Sequence, residues 1–344
     1  MKDHLSDLKI IVQILGQPIR ADQALLQALS RQGIHLSRSK LKRSFHEKEI
    51  RLQNQSLKAS ELLPPGDYLL NWTPSSSMAL DQILNPKAVP STQGSFIPIV
   101  YEDNTLLILN KGNEIPSIPH HSKETQTAVN SALARCPEIA YVGRNSLEPG
   151  ILHRLDTATS GLLVFAKTQE EFTRLQSLWK NRQIEKIYRA VIQTQKKIPK
   201  TPFTIDVSIA HDACSSKKMR VVSPHSHSRF IHFRGKPLTA ITRILNSRSV
   251  SFSSIDTQTI DDKKNFFYDL EIQIETGVMH QIRCHLASVG LPLFGDSLYG
   301  GIPSKRLWLH AWKLKIPLKV SLGAKSFLCL EAQLPEEWPK SDPL

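Results

Sequence analysis

The chain has 344 residues, 40% hydrophobic and 22% charged, ordinary for a globular protein and enough for one large domain beside a small one. Lys and Arg number 44 against 31 Asp and Glu, and the net charge of +13 points to a polyanionic partner, nucleic acid first. Cys136, Cys214, Cys284 and Cys329 lie far apart with no CxxC pair, which excludes a zinc ribbon and a disulfide framework; with no signal peptide or membrane-length apolar run, a cytosolic protein is expected.

Residues 20–72 read as one small unit. "RADQALLQALSRQG" sets Ala24, Leu25, Ala28 and Leu29 at helical spacing, with Gly33 as its C-cap. A second helix starts in "HLSRSKLKRSF", with Ser37 as its N-cap. Leu41 and Phe45 share one face of it, and Arg38, Lys40, Lys42 and Arg43 spread over the rest. These charges are nearly all positive and follow a helix start, where free backbone amides add to the attraction for phosphate; a merely solvated face is the alternative. "EIRLQNQSLKASELLPPGDYLLNW" then alternates, turns at Asn54-Gln55 and at residues 64–67, and ends in a strand-like "YLLNW". We place this small domain at residues 1–74. Residues 75–95, rich in Ser, Pro and Asn, read as a linker.

A large domain spans residues 96–335, with a tail at 336–344. "IPIVYEDNTLLILNK" reads as strand, turn and strand, and "SGLLVFAKT" as a buried strand. "EEFTRLQSLWKNRQIEK" is an amphipathic helix with Phe172, Leu175, Leu178 and Trp179 on one face. "KIYRAVI", "ITRILN", "FFYDLEIQIETG" and "SFLCLEAQL" add strands. Strands outnumber helices and neighbours can pair as hairpins, so the expected class is α+β on a largely antiparallel, mixed sheet flanked by helices and loops.

Chemistry concentrates in two stretches. "LEPGILHRLDTATSGLLVFAKT" puts His153, Arg154 and Asp156 between a Pro149-Gly150 turn and a buried strand, so Asp156 lies on a loop expected to be held at both ends by rigid strand. Read alone, Asp156 is either a reactive carboxylate or an Asx-turn residue paired locally. "TGVMHQIRCHLASVGLPLFGDSLYGG" supplies His280, Gln281, Arg283 and His285 after a strand, and Arg283 is a candidate cationic partner for Asp156. "KIYRA" supplies Tyr188, which on its own reads as a core residue. His120-His121 and the His225/His227 pair lack converging ligands, so no metal site is expected, and no phosphate-binding glycine loop, Rossmann pattern or nucleophile elbow is present.

Taken together, "HRLDTATSGLLVFAKT", "KIYRA", "HQIRCHLASVGLPLFGDSLYG" and "LHAWKL" resemble the motifs of the RluA-type pseudouridine synthases over residues 97–334. The small unit resembles the S-four-type RNA-binding domain through Arg20, Asp22, "SRSKLKR", "IRLQNQ" and "LPPGD", with Gln55 where that family has a turn glycine. The first resemblance implies the pseudouridine synthase fold, an RNA uridine isomerase active by base flipping, and no cofactor or metal. It makes Asp156 the catalytic aspartate, Tyr188 the ring against the target base, Arg283 the salt-bridge partner of Asp156, and Arg154 the side chain that fills the gap left by the extruded base. Asp156 then attacks the anomeric carbon or removes the adjoining proton. The RNA-binding domain in front favours ribosomal over transfer RNA, and no membrane or protein partner is implied, so a monomer is expected.

Two departures stand out. Gly277-Val278-Met279 replaces the family's Gly-basic-Thr, and Lys111-Gly112-Asn113-Glu114 replaces Lys-Pro-x-Gly, which implies a reshaped loop. The rival readings are a non-catalytic RNA-binding protein assisting ribosome assembly, which the intact Asp156, Tyr188 and Arg283 oppose, and a glycoside hydrolase, which needs a second carboxylate such as Glu148.

Overall fold

The computed structural model describes residues 8–31, 38–73, 88–91, 93–121, 123–143, 145–195, 198–222, 233–252, 266–318 and 326–341. The expected caps Gly33 and Ser37, most of the expected linker and the His225/His227 pair lie outside the described residues. The chain divides into two compact units, Met1–Lys87 and Ala88–Leu344. Among the described residues no helix is long and apolar enough to cross a membrane.

In the first unit β1 (Leu8–Ile14), α1 (Ala21–Arg31), α2 (Arg38–His46), β2 (Ile50–Leu52), β3 (Gln55–Ser56) and β4 (Gly66–Trp72) form two helices over an antiparallel sheet of order β1-β4-β2-β3. Strand β1 escaped the sequence reading. Ile10, Val12 and Ile14 point inward, but Ile11 is also apolar and 67% exposed, which masks the alternation that marks a half-buried strand. Ile10 lies opposite Leu70, so the strand that closes this core comes from the far end of the unit. The turn before β3 also differs from expectation. Gln53 and Asn54 carry φ of +48° and +67°, and Leu52 pairs with Gln55. Positive φ at both central residues defines the tight hairpin turn, so Gln55 is the first residue of β3 and the glycine comparison at that position falls away.

The second unit is built on a ten-stranded sheet. In chain order its elements are β5 (Ile99–Glu102), β6 (Leu106–Lys111), α3 (Ala128–Arg135), β7 (Ser160–Ala166), α4 (Gln169–Lys180), β8 (Glu185–Thr194) and β9 (Phe203–Asp206). After these come β10 (Ser208–Asp212), β11 (Met219–Val222), β12 (Phe233–Leu238), β13 (Ile241–Ser251), β14 (Phe266–Ile274), α5 (Gln281–Ser288), β15 (Leu309–Pro317) and β16 (Phe327–Glu331). The sheet order is β9-β13-β14-β8-β15-β7-β6-β5, with β16 beside β15 and Lys340–Ser341 beside β13. Pairing is antiparallel except between β15 and β7, so the domain is α+β on a largely antiparallel, mixed sheet. Strands β10, β11 and β12 form a separate small sheet that the sequence reading did not separate out.

Both faces of the central strands are covered, which is why "SGLLVFA" carries no polar alternation. Every residue of β7 is buried. Leu163 and Phe165 join one core with Leu107, Leu109 and helix α3, while Leu162 and Val164 join another with Leu106, Ile108 and Leu175 of α4. Thr127 caps α3 through the Asn130 amide, and the buried Asn130 side chain donates to the Val89 carbonyl at 2.6 Å. With Ser91 N–H on the Asn130 carbonyl and Ala88 N–H on that of Ser146, residues 88–91 are docked on the large unit, not free linker. The buried Asn130 side chain and the backbone carbonyls of Asn130 and Ser146 supply partners for a backbone that composition alone marked as loose.

Candidate active site

One row of the sheet carries Tyr188 and leads up to Asp156. Lys111 of β6 lies opposite Gly161 of β7, Gly161 opposite Ala311 of β15, and Ala311 opposite Tyr188 of β8. Gly161 has φ +116°, and a Cβ there would sit 2.3 Å from the Ala311 carbonyl oxygen, so only glycine allows β7 and β15 this approach. Asp156 lies just before the row. The segment ahead of it is not strand, as expected, but a single bridge at Ile151 followed by irregular backbone.

Side chains replace the missing strand. The Ser117 hydroxyl donates to the Leu155 carbonyl at 2.7 Å and accepts the Leu155 N–H at 3.0 Å. Lys111 is wholly buried, and its ammonium donates to the carbonyls of Gly112, Ile115 and Thr157 at 2.9, 2.8 and 3.1 Å. The residues on both sides of Asp156 are thus pinned. The altered Lys111-Gly112-Asn113-Glu114 loop wraps this ammonium, with Glu114 at φ +60°. Burial presses the Lys111 pKa down to about 7, opposed by the Asp156 and Glu114 carboxylates.

Arg283, from the first turn of α5, reaches Asp156 Oδ2 with Nη1 at 3.2 Å. Its stronger partner is Asp296, which the sequence reading passed over. Arg283 Nε and Nη2 grip Asp296 Oδ2 and Oδ1 at 2.7 and 2.8 Å, a bidentate fork, and the Asp296 side chain is 0% exposed against 26% for Asp156. The buried charge against Arg283 is therefore not that of Asp156. Asp296 is the buried one, and Asp156 stands at the mouth, with Arg283 Nη1 at 3.2 Å and His280 Nε2 at 3.6 Å both on its Oδ2. Burial works to lower the Arg283 pKa, but the Asp296 and Asp156 carboxylates outweigh it and hold it above its ordinary value. The Arg283 guanidinium also lies over the Tyr299 ring, 5.3 Å from its centroid.

Tyr188 is buried at the edge of the main core, and desolvation, with the nearby Asp156 charge, raises its phenol pKa above the ordinary range. Arg154 is 64% exposed, with Nη1 3.5 Å from Glu148 Oε1. Glu148, the carboxylate a hydrolase would enlist, is thereby engaged with a cation. Val278 packs in a small cluster with Ile209, Met219 and Cys284, so the position where the RluA type has a cation is filled by an apolar contact. On α2, Leu41 and Phe45 are buried and Lys42 is exposed; the side chains of Arg38, Lys40 and Arg43 lie outside the described ones.

The sequence pattern described as RNA pseudouridylate synthase matches residues 105–288, more than half of the chain and all of the stretch from β6 through α5. The chain belongs to that family. Its members are isomerases acting on RNA, and the motifs place this pseudouridine synthase with the RluA type. Among its relatives is the ribosomal large subunit pseudouridine synthase D of Yersinia pestis, 30% identical over 293 residues, covering 84% of this chain and 74% of the relative. The protein of that name in Neisseria meningitidis serogroup A is 34% identical over 206 residues, 59% of this chain and 46% of the relative. Among solved structures, human RNA pseudouridylate synthase domain containing 1 aligns with a TM-score of 0.52 at 20% identity, over 72% of this chain and 90% of that one, a likeness of fold.

Proposed function

We propose that this pseudouridine synthase modifies ribosomal RNA and that Asp156 is its catalytic carboxylate. One observation carries the second part. Arg283 is locked by Asp296 and gives Asp156 a single N–H on Oδ2, while Oδ1 takes no contact among the described residues. A carboxylate held by one oxygen and free at the other suits attack on the anomeric carbon or removal of the proton beside it. Isomerisation breaks the glycosidic bond from nitrogen, turns the uracil in the pocket and rejoins it through carbon, so the base gives up a ring proton at carbon and regains one at nitrogen. The target uridine must first leave its stack at a cost of a few kcal/mol. Arg154, at the surface, fills the vacancy in this reading, and the Tyr188 ring lies beside the flipped base. The ribosomal assignment is supported by the names of the relatives and by an N-terminal unit whose sequence resembles the S-four type. Mapping pseudouridine across total RNA from cells with and without the gene tests it. Loss at defined ribosomal uridines is expected, and loss confined to transfer RNA overturns the assignment.

The N-terminal unit acts in this reading as an RNA anchor. Burial of Leu41 and Phe45 orients α2 so that Lys42 faces solvent. Arg38→Ala with Lys42→Ala is expected to raise KM on a long structured RNA severalfold and to flatten its salt dependence. Turnover at saturation should hold, because phosphate contacts that take no part in the bond changes are equal in ground and transition states. Steady-state kinetics at two salt concentrations, on long and short substrates, measures this. An unmoved constant and salt slope on the long RNA would reduce α2 to a solvated face.

A further inference from the structure

Two rings from different segments meet beside the Arg283–Asp156 pair. His280 precedes α5 with φ 54° and ψ 22°, the left-handed region, which a non-glycine residue occupies at a cost of about 1 kcal/mol or more unless its surroundings hold it. What holds it is Tyr299, whose hydroxyl oxygen lies 2.9 Å from His280 Nδ1. The other ring nitrogen, Nε2, points at Asp156 Oδ2 from 3.6 Å.

Counting hydrogens among the described residues assigns the tautomer. The Tyr299 oxygen accepts the Met219 backbone N–H at 2.8 Å, and burial raises the phenol pKa, so the hydroxyl keeps its one hydrogen. Among the described residues the acceptor for that hydrogen is His280 Nδ1. Nδ1 is then the bare nitrogen, and a neutral imidazole carries its hydrogen on Nε2, the atom facing the carboxylate. The charged groups facing the ring are Asp156, Arg283 and Asp296; burial lowers its pKa, Asp156 and Asp296 oppose that, and Arg283 adds to it.

We propose that His280 is a positioning residue for Asp156, donating from Nε2 to Oδ2 in the tautomer that Tyr299 selects. With Arg283 it holds one carboxylate oxygen from two sides and presents the other to the sugar. At 3.6 Å the contact is long for a hydrogen bond in the free protein, and it shortens when substrate fills the pocket, as catalytic contacts commonly do. The proposal rests on reading Asp156 as the catalytic carboxylate.

Two measurements test it, one of them independent of activity. In the RNA-free protein with its histidines labelled with nitrogen-15, the His280 signals, assigned by their loss in His280→Asn, should report the Nε2–H tautomer at neutral pH. Tyr299→Phe keeps the ring over Arg283 but removes the hydroxyl, and it should release the ring into a mixture of tautomers. A wild-type His280 found as the Nδ1–H tautomer overturns the proposal. The kinetic test uses a uridine-labelled transcript of large-subunit ribosomal RNA. His280→Asn tolerates the left-handed backbone but is too short to reach Asp156, and should lower turnover about tenfold, about 1.4 kcal/mol, with filter-binding affinity unchanged. His280→Gln places an amide N–H near the Nε2 position and should restore most of the loss. Wild-type turnover in His280→Asn also overturns the proposal. A wild-type enzyme inactive on this transcript would instead count against the ribosomal substrate, and the tautomer would still be read.

Discussion

Asp156→Asn is expected to cut pseudouridine formation by at least about a thousandfold, roughly 4 kcal/mol of barrier, and to leave RNA affinity nearly unchanged. The amide is isosteric but neutral, and it supplies neither a nucleophile nor a base at the sugar. Little else should move. Asp156 stands at the mouth of the site, its neighbours are pinned by Ser117 and Lys111, and Arg283 keeps its bidentate hold on Asp296 when the Asp156 charge is gone. Tritium release from uridine-labelled RNA beside a filter-binding titration separates chemistry from binding. Activity within about tenfold of wild type would remove Asp156 from the reaction.

Arg283→Leu should destabilise the protein as well as silence it, and the reason lies with Asp296. The leucine leaves a carboxylate with no exposed surface and without its bidentate partner, a loss of about 3–5 kcal/mol. Asp156 loses its partner too, but water reaches it, so its share is small. A second substitution tells the two apart. Arg283→Leu with Asp296→Leu removes the orphaned charge and should recover much of the stability, while activity stays lost because Asp156 is no longer held. Denaturant midpoints and tritium release on both variants give the answer. If the double variant is no more stable than Arg283→Leu alone, the buried Asp296 charge is not the source of the loss.

Residues 153–168 were legible because their chemistry is local: a polar triplet, a turn, and an apolar run too short for a helix and without alternation, which the structure turns into a strand buried on both faces. The motif glycine Gly161 proves to be a demand of geometry, where β7 meets β15 too closely for a side chain. The missed elements share a cause. Strand β1 carries an exposed Ile11 that spoils its period, and the docked residues 88–91 look like linker because their partners, Asn130 and Ser146, lie some forty to sixty residues away.

By itself, then, the sequence pointed to a polyanionic partner, through a surplus of positive charge, and to the class of chemistry, through motifs that resemble the RluA type and imply roles for Asp156, Tyr188 and Arg283. Both are properties that composition and short windows preserve. The tertiary structure decided which charge is buried and what points where. Asp296 lies only 13 residues from Arg283 in the chain, yet nothing in its local sequence distinguishes it from a surface loop aspartate. It becomes the anchor of the site because the fold removes water from it and offers one guanidinium in return. In the same way His280 acquires a direction because a tyrosine hydroxyl 19 residues on is itself oriented by the backbone of β11. Burial and hydrogen-bond direction are set by contacts between distant segments, so only the folded chain fixes them.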